Sequence, residues 1–302
     1  MTATLTLFHN GLSAGVPGRP NHNAKRGGIA GWSAGAARRN LHFLYSVDGD
    51  ALRRDGTMAY AFTLTVRDCP DTPRAWATAM ERFLLAMQRT HGCIRLHWVV
   101  EWQRRQVPHL HGCLFFPAGQ PPPPDLVVNG WCWLVQHGAT PRGQTVKPMT
   151  GAIGWFQYMA KHAARGVGHY QRAGEAIPPG WRGYTGRMWG HRGSWPVGGL
   201  PVRYTLDGKE GDGAFFAFRR LVRAWRVADA RRSGDCRRIA SARRMLRCPN
   251  RAKSEVRGVS EWLSADRTEV LLANLLARGY SLGLPSPEPP AAPSPDSASQ
   301  FG

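Results

Sequence analysis

The sequence contains no apolar run near the roughly 18 residues that a membrane-spanning helix requires, and its amino terminus lacks the apolar segment of a secretory signal. A spanning or exported protein is therefore not expected, no membrane partner is expected, and the chain is read as cytoplasmic. Its six cysteines (Cys69, Cys93, Cys113, Cys132, Cys236, Cys248) include no C-x-x-C pair, which speaks against a zinc ribbon or a disulfide framework and leaves buried reduced thiols as the expectation. No G-x-x-x-x-G-K-[ST] loop is present, so no ATP-driven helicase is expected, and no internal repeat is found. Acidic residues are scarce: 20 Asp and Glu stand against 40 Lys and Arg, a net charge of +20. A field of that sign draws polyanions, and with a membrane set aside nucleic acid is the expected partner.

What is present is ample for a core, with 42% hydrophobic residues and 12 Trp in 302 residues. Residues 1–30 are rich in Gly, Asn and Pro and are expected to be a poorly ordered lead-in. A main domain is expected over 31–212. Within it Ser33 caps a helix through Arg38, Arg39, Leu41 and Leu44, and Met58 to Val66 alternates apolar and small residues as a half-buried strand does. Asp71-Thr72-Pro73 starts a helix whose Trp76, Met80, Phe83, Leu84 and Met87 fall at helical spacing. Ile94 to Trp102 and Pro108 to Phe116 read as an antiparallel hairpin, followed by a short helix near Leu126 to Val135 and a longer one from Thr150 to about Arg165. Val202 to Leu206 reads as a possible strand. A basic helical extension is expected over 213–282, because 14 Lys and Arg stand against three acidic residues between Phe218 and Arg257, +11 of the total excess. Arg219, Arg220, Arg223, Arg226, Arg237, Arg238, Arg243 and Arg244 are its candidate DNA contacts. The Pro/Ser/Ala-rich stretch 283–302 is expected to be a disordered tail. The whole reads as an α+β protein.

Chemistry concentrates in two places. His109 and His111 are two apart on a strand and so project from one face, and Glu101 lies on the preceding strand across the turn. Two neutral imidazoles and one carboxylate suit a divalent ion with open positions. An isolated His-x-His is more simply two polar residues on the wet side of a sheet; the nearby acid and the apolar opposite face of Leu110, Leu114 and Phe116 favour the metal reading. On the helix from Thr150, Ile153, Phe156, Ala160, Ala163 and Val167 form an apolar stripe, while Tyr158, Lys161, His162 and Arg165 lie on the other side. A phenol near a divalent ion can attack phosphorus, and a lysine one turn on can stabilise the charge, although Y-x-x-K alone is a weak signal.

In order, Phe62-Thr63-Leu64-Thr65, His109-Leu110-His111-Gly112 and Tyr158-Met159-Ala160-Lys161 resemble the three motifs of the HUH endonuclease superfamily of rolling-circle replication initiators. The tyrosine follows the histidines, as in plasmid and phage initiators and unlike conjugative relaxases. The resemblance implies an antiparallel central sheet, a ferredoxin- or RRM-like palm with flanking helices. It also implies a Glu101–His109–His111 site for Mg²⁺ or Mn²⁺, and Tyr158 as the nucleophile that nicks one strand of a single-stranded, hairpin or duplex origin. A 5′-phosphotyrosine link and a free 3′-hydroxyl for a host polymerase would result, with a host helicase opening the duplex. No second tyrosine lies close beside Tyr158 on its helix, a departure from some relatives. Gly186-Arg187-Met188-Trp189-Gly190, within Trp181 to Trp195, is similar to a stretch in bacterial initiators; it either packs as a loop or stacks on unpaired bases. An HUH-type transposase and a non-catalytic DNA-binding regulator are the alternatives.

Overall fold

The computed structural model describes residues 3–15, 28–119, 121–163, 169–207, 211–244 and 259–284. Its strands are β1 (Ala3–Phe8), β2 (Gly11–Gly15), β3 (Met58–Thr65), β4 (Arg95–Trp102), β5 (Pro108–Phe116), β6 (Thr145–Pro148), β7 (Trp189–Arg192), β8 (Val202–Asp207), β9 (Val259–Trp262) and β10 (Ser281–Gly283). The helices are α1 (Ala34–Ser46), α2 (Gly49–Arg54), α3 (Pro73–Arg89), α4 (Pro124–Val135), α5 (Ala152–Ala163), α6 (Gly211–Arg232), α7 (Cys236–Arg244) and α8 (Ala265–Leu276). The fold is α+β, as the sequence predicts, but its strands make two five-stranded sheets rather than one. The chain divides into two compact units.

The unit that holds Pro20–Leu200 is built on a sheet of order β6-β3-β5-β4-β7. In β3 the alternation is realised: Tyr60, Phe62 and Leu64 are buried and the residues between them half-buried. Thr72 accepts from the Ala75 amide and Pro73 opens α3, placing Trp76, Phe83 and Met87 on the core side. Phe83 meets Phe62 and Trp131 of α4 edge to face, at ring separations of 6.4 and 5.2 Å, and this cluster closes one face of the sheet. Gly112 is required on that face: a Cβ there would collide with the Phe62 ring and the His97 carbonyl.

The other face is covered by α1 and α5, which pack on each other. Phe43 of α1 stacks on His97 at 5.4 Å and on His191 at 4.1 Å, and Phe156 of α5 stacks on Phe115 at 6.4 Å. His97 is fully buried, with Nε2 2.8 Å from Asn40 Oδ1; burial, aided by His191, pushes its imidazole down to about 3, so the ring is neutral at physiological pH.

The second unit comprises Met1–Leu7, Leu12–Arg19 and Pro201–Gly302, and its sheet has the order β10-β8-β1-β2-β9. Leu5, Leu12, Phe215, Phe218, Val222, Leu271 and Leu275 meet in its core. Two sequence expectations are corrected here. The lead-in expected to be poorly ordered over 1–30 instead forms β1 and β2, because Ala3, Leu5 and Leu7 alternate with threonines and find a partner in β8, with Thr4 opposite Thr205. The extension expected to be helical from 213 starts at Pro201 and contains strands as well as α6, α7 and α8. Residues 16–27 and the tail 285–302 lie outside the described residues. No helix among the described residues is long and apolar enough to cross a membrane.

Candidate functional site

The tight connection between β4 and β5 sets a register in which Glu101 stands directly opposite His109, with Val99 opposite His111. Since alternate residues share a face, Glu101, His109 and His111 project together on the side covered by α1 and α5. That side is not wet: Glu101 is 1%, His109 7% and His111 8% exposed, which removes the reading of the histidines as surface polar residues. The three side chains offer ligand atoms that all lie within 4.8 Å of one another. His111 Nε2 is 3.1 Å from His109 Nε2 and 3.7 Å from Glu101 Oε2. Adjacent ligands of an octahedral ion with bonds of roughly 2.1 Å lie about 3 Å apart, so the nitrogen pair fits such an ion. This buried Glu/His/His group can bind a metal ion.

Thr63, the cross-strand neighbour of His111 on β3, brings Oγ1 to 2.8 Å from His111 Nδ1. With Nδ1–H donating to that hydroxyl, Nε2 is left with its lone pair toward His109 and Glu101. The threonine on the available face of β3 thus acquires a task that alternation alone does not reveal.

Arg172 is not visible from the sequence. Its guanidinium is buried, donates from Nε at 2.9 Å and from Nη2 at 2.7 Å to Glu101 Oε1, and lies 4.4 Å over the Trp32 ring. Trp32 is itself held by its indole N–H, which donates to the Val100 carbonyl at 2.8 Å. A buried carboxylate calls for a cation, but nothing in the sequence says which one.

Tyr158 projects from α5, which covers the histidine-bearing face: Phe156 packs on Phe115 and Trp155 lies against Cys113, the next residue on His111's side of β5. Tyr158 is 45% exposed and its ring lies 5.6 Å from that of Trp155, so it is on the helix side away from buried Phe156 and Ala160. Of Lys161, the backbone lies in the last turn of α5 and the side chain is outside the described residues, as is that of Arg244. Most of the aromatics of the Trp181 to Trp195 stretch pack: Trp181 meets Trp102 edge-on at 5.4 Å and Trp195 sits against Phe115 and Phe156, while Arg187 is exposed.

The basic residues divide. Arg219 is 8% exposed and lies over the rings of Phe215 and Phe216, Arg226 is paired with Glu261, and Arg238 is paired with Asp229. Burial raises the Glu261 carboxyl against the opposing pull of Arg226. Arg223 is half-buried, and Arg220, Arg237 and Arg243 are exposed.

Residues 59–163 match the model of a family of replication-associated proteins of the ORF2 type, a span that holds Thr63, Glu101, His109, His111, Tyr158 and Lys161 but not Arg172. The chain is 45% identical over 282 residues to a replication-associated protein of Pseudomonas phage Pf3, covering 91% of this chain and 98% of that one. It is 47% identical over 282 residues to a candidate replication protein of Xylella fastidiosa (strain 9a5c), covering 92% of this chain and 98% of that one. No solved structure matches.

Proposed function

The chain belongs to the family of replication-associated proteins of the ORF2 type, and from that membership we propose that it initiates rolling-circle replication by nicking one DNA strand through Tyr158. The observation that carries the reading is the convergence of Glu101, His109 and His111 on a sheet face covered by the tyrosine-bearing helix. A divalent ion held by these three, Mg²⁺ or Mn²⁺, would supply Lewis-acid polarisation of a phosphate oxygen. Tyr158 gives up its phenolic proton and Oη attacks phosphorus; the P–O3′ bond breaks, leaving a 5′-phosphotyrosine and a 3′-oxygen that takes a proton. Lys161 steadies the charge on phosphate or phenolate, and the 3′-hydroxyl is extended by a host polymerase while a host helicase opens the duplex. Attack of a 3′-hydroxyl on the phosphotyrosine reverses the step and closes the strand.

This is tested by incubating the protein with end-labelled single-stranded DNA from its own replicon and Mg²⁺ or Mn²⁺. A nicked product together with a covalent protein–DNA adduct on a denaturing gel is expected. DNA binding with neither product would favour the non-catalytic regulator.

DNA is held along α6 and α7 through phosphates, and the side-chain pairings narrow which arginines serve. Replacing exposed Arg220, Arg237 and Arg243 together by Ala should lower the slope of log affinity against log salt by about one per lost phosphate contact, roughly three in all. Arg226→Ala should leave the slope unchanged, because that guanidinium is already engaged by Glu261. An unaltered slope in the triple variant refutes this assignment of the DNA-holding face.

A further inference from the structure

Three segments far apart in the chain meet behind the metal-ligand cluster: Trp32 from the stretch before α1, Glu101 from β4 and Arg172 from the stretch before β7. Each is pinned separately. Gly31 N donates to Thr185 Oγ1 at 2.7 Å, the Trp32 indole donates to the Val100 carbonyl, and the Trp102 amide donates to the Gln171 carbonyl at 2.9 Å. The guanidinium is therefore clamped between an aromatic plate and a carboxylate, with both neighbours of Glu101 on β4 tied to the same assembly.

We propose that Arg172 is a positioning residue that makes Glu101 a single-oxygen ligand and offsets its charge, so that the site is shaped for a small octahedral dication and against calcium. The inference rests on the metal reading given above. Two N–H groups of Arg172 converge on Oε1, while Oε2 is the oxygen 3.7 Å from His111 Nε2. A carboxylate held in this way offers one oxygen toward the histidines. Calcium takes six to eight oxygens and can draw two of them from one carboxylate, an option that the Arg172 bonds to Oε1 close, whereas magnesium and manganese sites are filled by six ligands at shorter bonds. The charge offset is a separate effect and is common to Mg²⁺, Mn²⁺ and Ca²⁺. Two neutral imidazoles and a carboxylate leave a dication with one net positive charge; with the buried guanidinium beside the carboxylate, both positive charges remain available to an incoming phosphodiester.

A purely structural ion pair would keep the fold and leave metal selectivity alone, so the test measures binding apart from turnover. Mn²⁺ and Ca²⁺ are titrated by calorimetry into the metal-free full-length protein, into Arg172→Gln, and into Arg172→Lys, which keeps the charge but loses the two-pronged donor. The same titrations are made in a Glu101→Gln background. The expected result is Mn²⁺ affinity weakened about 10- to 100-fold in Arg172→Gln, the range seen when groups that orient ligands are removed, with the loss of orientation outweighing the relief of repulsion between guanidinium and ion. The preference for Mn²⁺ over Ca²⁺ should shrink in both variants, and the Arg172 effect should vanish once Glu101 is Gln. Arg172→Lys guards against a misfolded glutamine variant, and its circular dichroism and metal-free melting are compared with the parent. Folded variants that bind both ions as the parent does overturn the proposal. So does an Arg172 effect that persists without Glu101. If the parent itself binds no Mn²⁺, the metal reading fails and this inference with it; if the parent binds and only the Arg172 prediction fails, the metal reading stands.

Discussion

Tyr158→Phe is expected to abolish formation of the covalent protein–DNA adduct, a loss on the order of 10⁴-fold or more, while folding and DNA affinity stay close to those of the parent. The substitution removes one oxygen from a side chain that is 45% exposed and keeps the ring that lies against Trp155. Surface changes of this kind alter stability by no more than about 0.5 kcal/mol. The arginines proposed to hold DNA belong to α6 and α7, so the salt dependence of binding should not move. The readout is labelled DNA carried into a protein band on a denaturing gel, followed by peptide mapping of the attached residue. Two other tyrosines could compete on exposure alone, Tyr170 and Tyr184, each 53% exposed. Tyr170 has the Arg104 guanidinium 5.4 Å over its ring, and neither projects from a helix packed on the histidine face. An adduct that forms in Tyr158→Phe, or that maps to Tyr170 or Tyr184 in the parent, removes Tyr158 from the mechanism.

The parts of this molecule that can be read from the sequence are those set by local rules. The β4–β5 hairpin joins strands through a few residues, so its register, and with it the meeting of Glu101 and His109, follows from the turn and the alternation. Periodicity likewise places Tyr158 opposite Phe156 and Ala160 without knowledge of what α5 covers. The misses are pairings at long range. The alternation in Ala3 to Leu7 is present in the sequence, but its partner β8 lies some two hundred positions away and the surrounding glycines suggest irregular chain. Arg172 reaches Glu101 across 71 positions, and one cation among 40 cannot be singled out by composition. The basic extension is harder to read for a different reason: summing its arginines as a field hides their directions. At about 100° per residue, Arg219 and Arg226 fall on the same stripe of α6 as buried Phe215, Phe218 and Val222, whereas Arg220 lies well around the helix from it. Periodicity applied to the charges as well as to the apolar residues separates the arginines that pack from those able to meet phosphate.

His109→Ala and His111→Ala should each reduce nicking by about a thousandfold or more while leaving binding to duplex DNA largely intact. Lewis-acid stabilisation of a phosphoryl transition state is worth several kcal/mol, and roughly 4 kcal/mol corresponds to that factor. The two imidazoles present Nε2 atoms 3.1 Å apart, so loss of either leaves one nitrogen and one carboxylate oxygen and weakens the hold on an ion. Both side chains are buried, and each Ala variant will lose some stability through the space left behind; its fold is therefore checked by circular dichroism, and its Mn²⁺ binding by calorimetry. Thr63→Val supplies the graded case. It keeps the shape of β3 and both histidines but removes the hydroxyl 2.8 Å from His111 Nδ1, so the ring loses the contact that fixes its orientation and tautomer. Nicking and Mn²⁺ affinity should then fall together by about 10- to 100-fold, between the parent and the Ala variants. If either Ala variant nicks at the parental rate in chelator-treated, metal-supplemented buffer, Glu101, His109 and His111 do not form the metal site, and the cluster is a buried polar network that only supports the sheet.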